Sequence, residues 1–234
     1  MPDRPVPVSS IDEQPRGMAD IRRPIQKRSR DRFEAILDAA ERMLETSDPA
    51  SISVHRLAAE LEMSAPSIYH FFPDASLVFA ALAERYLHGF EVQAADLSSI
   101  KFDNWQELQT YNFRQARSFF NANAPARKIL LGPALSFDIR TRDLQSDIVM
   151  AKRGIEQMRA MFVVPYVPDL IARSIELIVI NDALWALSIH RHGTITEEME
   201  EQARRARLAY ARTFFPEFMA PIEQALPSIV SAPE

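Results

Sequence analysis

No cysteine occurs in the 234 residues. Disulfides, thiolate metal sites and thiol redox sensing are therefore excluded. Glycine is nearly as scarce: Gly17, Gly89, Gly132, Gly154 and Gly193 are the full complement, and no two lie close together. Neither a Walker loop nor a dinucleotide fingerprint can be written with that spacing. Positive charge is not in excess either. Lys and Arg total 27 against 32 acids, a formal net charge of -5, so any argument for nucleic acid must rest on local charge. Long apolar runs are missing. The stretch "IELIVINDALWALSI" (175–189) is too short to span a bilayer and carries Glu176, Asn181 and Asp182. The N-terminal "MPDRPVPVSSIDEQPRGMAD" has no apolar core of signal-peptide length, and a cytoplasmic chain without membrane contact is expected. Catalytic motifs are absent as well. There is no HExxH and no GxSxG, and His190 and His192, two apart, point in different directions on a helix. No catalytic residue, metal or cofactor is expected.

What remains is a chain with 47% apolar and 25% charged residues, long enough for one or two packed domains. Residues 1–21 are rich in Pro, Ser, Asp and Gln and read as a disordered arm. The run "RRPIQKRSRDR" (22–32) holds six basic residues against one acid. From Phe33 the apolar residues Ile36, Leu37, Ala40, Met43 and Leu44 recur at three and four, which predicts a helix ending near Thr46 at "SDPAS". Ser53 is a candidate cap for a second helix, Val54–Leu61. After the turn "EMS", Ser64 is a candidate cap for a third, Ala65–Phe72, with Pro66 in its first turn and Pro73 at its end. Two short helices joined by a three-residue turn make a helix-turn-helix, whose second helix enters the DNA major groove.

The pattern is more specific than that. "ILDAA" (36–40), the "VxxLAxxLxxS" spacing of Val54 to Ser64, and "SAPSIYHFFP" (64–73) resemble the DNA-binding domain of tetracycline-repressor-like, or TetR family, transcriptional regulators. The resemblance covers residues 33–90 and departs at two points. Glu62 stands where the turn often has glycine, at a cost of about 1 kcal/mol if the backbone there is left-handed. Ala75 stands where the fourth helix usually carries a phosphate-gripping lysine.

The resemblance implies an all-α fold. Residues 22–76 would form an N-terminal three-helix helix-turn-helix DNA-binding domain. Residues 77–220 would form a C-terminal helical bundle for ligand binding and dimerisation, with 221–234 a tail. It further implies a homodimeric repressor on a pseudo-palindromic double-stranded operator, released by a small, largely apolar inducer. The expected DNA contacts are Arg28, Arg30 and Arg32 in the basic run, Ser53 and His55 at the second helix, and Ser64, Ala65, Pro66, Ser67, Tyr69 and His70 at the third. Arginines would grip phosphates. Ser67 would read a base edge, and Ala65 with Pro66 would offer apolar contact to a thymine methyl.

Six further helices are expected: about 77–96, 102–123, a short one in "RKILLGPAL", 144–163, one from an Asp169 cap to Gly193, and one from Thr196 to about 215. The helix around 170–190 is apolar nearly all round and so must be covered on more than one side. Ile175, Ile178, Val179, Asp182 and Ala186 on it, with Arg205 and Leu208 on the last helix, are the expected dimer contacts. Trp105, Asn112, Phe113, Phe120, Phe137, Met158, Phe162, Asn181 and Trp185 are the expected pocket lining. Asn181-Asp182 interrupts an apolar run and requires a partner. The rival readings are an all-helical enzyme or carrier using the helix-turn-helix only for packing, and a family member that has lost induction. Convergent titratable groups in the pocket would favour an enzyme. An apolar pocket behind exposed recognition helices would favour a regulator.

Overall fold

A computed structural model describes residues 21–93, 97, 100–132 and 137–222. Residues 1–20 of the expected arm and 223–234 of the expected tail lie outside it. Among the described residues the regular elements are nine α-helices and one 3-10 turn. None of these helices is long and apolar enough to cross a membrane.

Helix α1, Lys27–Thr46, buries Phe33, Ile36, Leu37, Ala39, Ala40 and Leu44. It starts six residues before the apolar pattern does, so Arg28, Arg30 and Arg32 are helical rather than part of a lead-in. Ile21, expected in the arm, is buried in the core. A 3-10 turn at Pro49–Ser51, held by Asp48 Oδ1 accepting from the Ala50 N–H at 2.9 Å, leads to α2. In α2, Val54–Glu60, the Ser53 hydroxyl accepts from the Arg56 N–H at 3.3 Å. The turn that follows puts Glu62 at φ 52°, the left-handed conformation that glycine would take without strain. Helix α3, Ala65–Tyr69, is shorter than expected because the Phe71 and Phe72 N–H groups both close on the Ile68 carbonyl at 2.9 Å. This tightening sends both rings inward, where Phe72 lies 4.8 Å from Phe33.

Helix α4, Ala75–Gln93, is begun by Asp74, whose carboxylate accepts from the Leu77 N–H at 3.1 Å. It packs against α1 on one side and α6 and α7 on the other. Helix α5, Trp105–Ala122, is capped by Asn104, and α6, Ala124–Leu130, by Asn123. Helix α7 runs Phe137–Met161, starting earlier than the apolar pattern predicts. Helix α8, Leu170–His192, ends at Gly193 with φ 70°. Its expected cap differs: Asp169 is left-handed at φ 53° and its side chain accepts no cap hydrogen bond. Helix α9, Glu197–Ala211, is capped by the Thr196 hydroxyl on the Met199 N–H at 3.2 Å. After α9 the chain returns to the end of α7, where the Val163 N–H donates to the Ala220 carbonyl at 2.8 Å.

One core cluster joins α1 to α4 with α6 and reaches Trp185 on α8. A second joins Trp105 and Leu108 of α5, Met158 of α7, Leu177 of α8 and Leu208 of α9. Between them lies a cavity.

Candidate nucleic-acid interface and internal cavity

Helices α2 and α3 present one outer surface. His55 and Arg56 on α2 are exposed, as are Ser64, Pro66, Tyr69 and His70 around α3, while Ile68 faces the core. Tyr69 is 43% exposed, large for an aromatic side chain. Its ring meets His55 edge-on at 6.2 Å, so the two helices share this surface. Ser64 does not cap α3 through its side chain; its hydroxyl pairs with that of Ser67 at 2.7 Å. Ala65 and Ser67 are half-buried. Arg56 was not singled out in the sequence. Its guanidinium donates to the Ser51 carbonyl at 2.6 Å and hydroxyl at 3.1 Å, fixing the 3-10 turn beside the α2 N-terminus. Arg28, Arg30 and Arg32 are exposed on the first turns of α1. Cations at a helix N-terminus oppose the macrodipole, so nothing in the helix itself favours them there. Their placement suits an external anion.

The cavity has a volume of about 310 Å³ and is bounded by α4, α5, α7 and α8. Asn112, Phe113, Phe120, Met158, Asn181 and Trp185 line it, as does Tyr86. Trp185 lies 6.1 Å from Phe113 and 6.0 Å from Phe120, both edge-on, which makes one wall aromatic. Three carboxyls, Asp143, Asp147 and Asp182, also line it.

Residues 36–82 match the family model described as bacterial regulatory proteins, tetR family. Over this segment the chain is similar to the DNA-binding domain of that family. The fold as a whole resembles solved structures of proteins described as TetR regulators. A TetR-family transcriptional regulator from Streptomyces coelicolor is 20% identical, with 79% of this chain and 99% of that chain covered and a TM-score of 0.57. SmeT, the repressor of the Stenotrophomonas maltophilia multidrug efflux pump SmeDEF, is 16% identical, covering 86% and 96%, with a TM-score of 0.55. A TetR regulator from Rhodococcus sp. RHA1 is 14% identical, covering 78% and 96%, with a TM-score of 0.50. At these identities the likeness is one of fold. Among curated protein sequences nothing matches.

The other expected pocket residues lie elsewhere. Trp105 and Phe162 belong to the second core cluster and do not line the cavity. Trp105 lies tilted against Phe215, 5.5 Å between ring centres, and donates its indole N–H to the Pro216 carbonyl at 3.0 Å. The side chain of Phe137 lies outside the described ones. Asn181 has found its partner inside the protein. Its carboxamide oxygen accepts from Arg207, which also donates to Glu200 at 3.0 Å and lies 3.9 Å over the Phe113 ring. Glu200 in turn accepts from the Trp185 indole at 2.9 Å. Asn112 donates to Gln157 at 2.8 Å.

The expected dimer residues divide in the same way. Ile178 and Asp182 line the cavity, and Leu208 is buried in the core, so these three do not lie on an outer face. Ile175 and Val179 line an outer groove with Ile180 and Tyr210, and Leu187 and Arg205 are exposed. Ala186 is half-buried.

The acids on α7 could have been found. Asp143 and Asp147 continue the stripe of Met150, Gly154 and Met158 at spacings of three and four, so the helix puts them on the cavity face. Burial, then the neighbouring charges of Asp143 and Asp182, push Asp147 up to about 8. Burial and Asp143 push Asp182 up to about 7. Two links connect this region to α1. The Tyr86 ring lines the cavity while its hydroxyl donates to Glu41 of α1 at 2.6 Å. Lys128 on α6 donates to the α1 terminal carbonyls of Leu44 at 2.5 Å and Ser47 at 3.1 Å.

Proposed function

We propose that the chain is a cytoplasmic, homodimeric transcriptional repressor that binds a pseudo-palindromic operator and leaves it when a small molecule fills the cavity. The single observation that carries this reading is Tyr86. One side chain lies in the cavity wall and holds α1 of the DNA-binding domain. A ligand that moves the ring changes where α1 sits, and with it the spacing of two recognition helices. In the dimer, Tyr69, His70, Ser67 and Pro66 would meet base edges, and Arg28, Arg30, Arg32 and His55 would hold phosphates. The outer faces of α8 and α9, with Ile175, Val179 and Leu187, would form the two-fold interface.

Titratable groups do converge on the cavity, the feature that would favour an enzyme. The regulator reading is supported by the match of residues 36–82 to bacterial regulatory proteins of the tetR family. SmeT acts on an efflux pump's expression by its description, and control of export genes is one use such a cavity would serve.

The test is footprinting of the purified chain on its own promoter region across a salt series. A protected pseudo-palindrome with a steep loss of affinity as salt rises is expected. Weak binding that ignores sequence would reject the repressor reading.

A further inference from the structure

We infer that the cavity takes an amphipathic organic cation, an aromatic or alkyl stem ending in one protonated amine, with the charge held between Asp147 and Asp182. The inference rests on the ligand-responsive reading above and names the ligand class.

The argument begins with what the walls offer. Phe113, Phe120 and Trp185 give an apolar, aromatic surface that favours a hydrophobic stem and, through the ring faces, a cation. Asp143 and Asp147 lie one turn apart on α7, and Asp182 lines the same cavity from α8. Their neighbours do not neutralise them equally. Asp143 accepts from Arg140 at 2.6 Å. Asp182 accepts one hydrogen bond, from Asn181 at 3.2 Å. Asp147 is 5% exposed, and among the described residues its Oδ2 has no hydrogen-bond partner. A buried carboxyl oxygen in that state is a defect in a folded core unless a partner arrives.

The nearby cations are committed elsewhere. Arg207 is shared by Asn181 and Glu200, and Arg142 pairs with Glu84. The charges that act most on Asp147 are Asp143 and Asp182, which repel, and Arg140, which attracts. Arg153 also lines the cavity but is not among them. The Tyr86 hydroxyl is given to Glu41. A bare metal ion is a poor occupant, since among the described residues no three acids or histidines are grouped to ligate one. A neutral apolar ligand would leave Asp147 as it is. An ammonium group supplies the missing donors and the missing charge together.

The elevated pKa values fit this occupant. Near neutral pH the empty cavity keeps Asp147 mostly protonated, and a bound cation would draw that proton off. Affinity for an amine that remains charged should therefore rise with pH, by up to about tenfold per pH unit for each proton released.

Three probes share one aromatic stem and differ in the head group: 4-phenylbutylamine, 4-phenylbutanol and 4-phenylbutyrate. Calorimetry of each with the full chain at pH 6, 7 and 8 makes the test. The amine should bind at least about tenfold tighter than the other two at pH 8 and should tighten from pH 6 to 8. In Asp147→Asn/Asp182→Asn both the preference and the pH dependence should vanish. The single variants serve if the double variant fails to fold. Equal affinities, tightest binding of the carboxylate, or no binding by any probe would overturn the inference. Footprinting separates the two readings. A chain that protects its operator but shows no amine preference keeps the repressor reading and loses this one. A chain that protects no DNA loses the repressor reading even with the preference intact.

Discussion

A carboxyl raised from 3.8 to about 8, as at Asp147, holds its proton more tightly in the folded chain than in the unfolded one. The folded state then binds more protons between those two values, and its stability falls as pH rises through them. Asp182, raised to about 7, acts in the same direction. The loss is at most about 1.4 kcal/mol per pH unit for each group. The groups facing Asp147 are the repelling Asp143 and Asp182 and the attracting Arg140, which offsets the repulsion only in part. Asp147→Asn should therefore melt at higher temperature than the parent at pH 8.5, and the advantage should be much smaller at pH 5 and gone only below 3.8, where the carboxyl is protonated in the unfolded chain as well. Thermal denaturation at the two pH values checks this. Equal melting temperatures at pH 8.5 would mean that the carboxyl is solvated and not the buried defect described. Glu62 carries a second local cost, in its backbone, and here the sequence was readable because a motif position normally glycine is filled by a side chain.

At the scale of single helices, legibility followed the signals each helix carries. Helices α2 and α3 carry local signals, a capping serine before α2 and an early proline in α3, and both start where those signals put them, although Ser64 gives α3 no side-chain cap and α3 ends at Tyr69 rather than Phe72. The first turns of α1 have none. Their arginines lack apolar periodicity and oppose the dipole, so the helix start was read too late. Aromatics on the bundle helices were harder still. Trp105 and Phe113 both lie on the inner side of α5, yet only Phe113 reaches the cavity, because the second core cluster fills the space beside Trp105. Spacing reports which face is inward and not whether the inward space is filled. The helical placement of the arginines sharpens one prediction. Deleting residues 1–30 would remove the first turn of α1 along with the charge. Replacing Arg28, Arg30 and Arg32 with Gln keeps the helix and removes the charge alone. The slope of log affinity against log salt should flatten by about one for each lost phosphate contact. An unchanged slope in a salt-series titration on promoter DNA would place the phosphate grip elsewhere, with Arg56 and His55 next in line.

At the scale of the whole molecule, a repressor of the kind proposed must make a filled cavity felt at its operator. Helix α4 belongs to both halves, packing on α1 at one side and α7 at the other. Arg85 and Tyr86 on it hold the acidic face of α1. Arg85 reaches Asp38 at 2.7 Å and Glu41 at 2.5 Å, and Tyr86 reaches Glu41 at 2.6 Å. Of these, Tyr86 also meets the cavity, so its hydroxyl is the shortest chemical path from ligand to α1. Burial raises its pKa, and the hydrogen bond to Glu41 raises it further, so the hydroxyl stays protonated and remains a donor at every physiological pH. Tyr86→Phe keeps the ring in the wall and deletes this bond. Two-site coupling of this kind is ordinarily worth 5- to 150-fold in affinity, and it is reciprocal. The ratio of operator affinities without and with the tightest binding of the three phenylbutyl probes should therefore drop by at least about fivefold in the variant. The ratio of probe affinities for free and DNA-bound protein should drop by the same factor. Fluorescence anisotropy of labelled promoter DNA measures the first and calorimetry the second. A ratio as large as that of the parent would exclude the Tyr86 path and leave the Lys128 grip on the α1 carbonyls as the connection to break next.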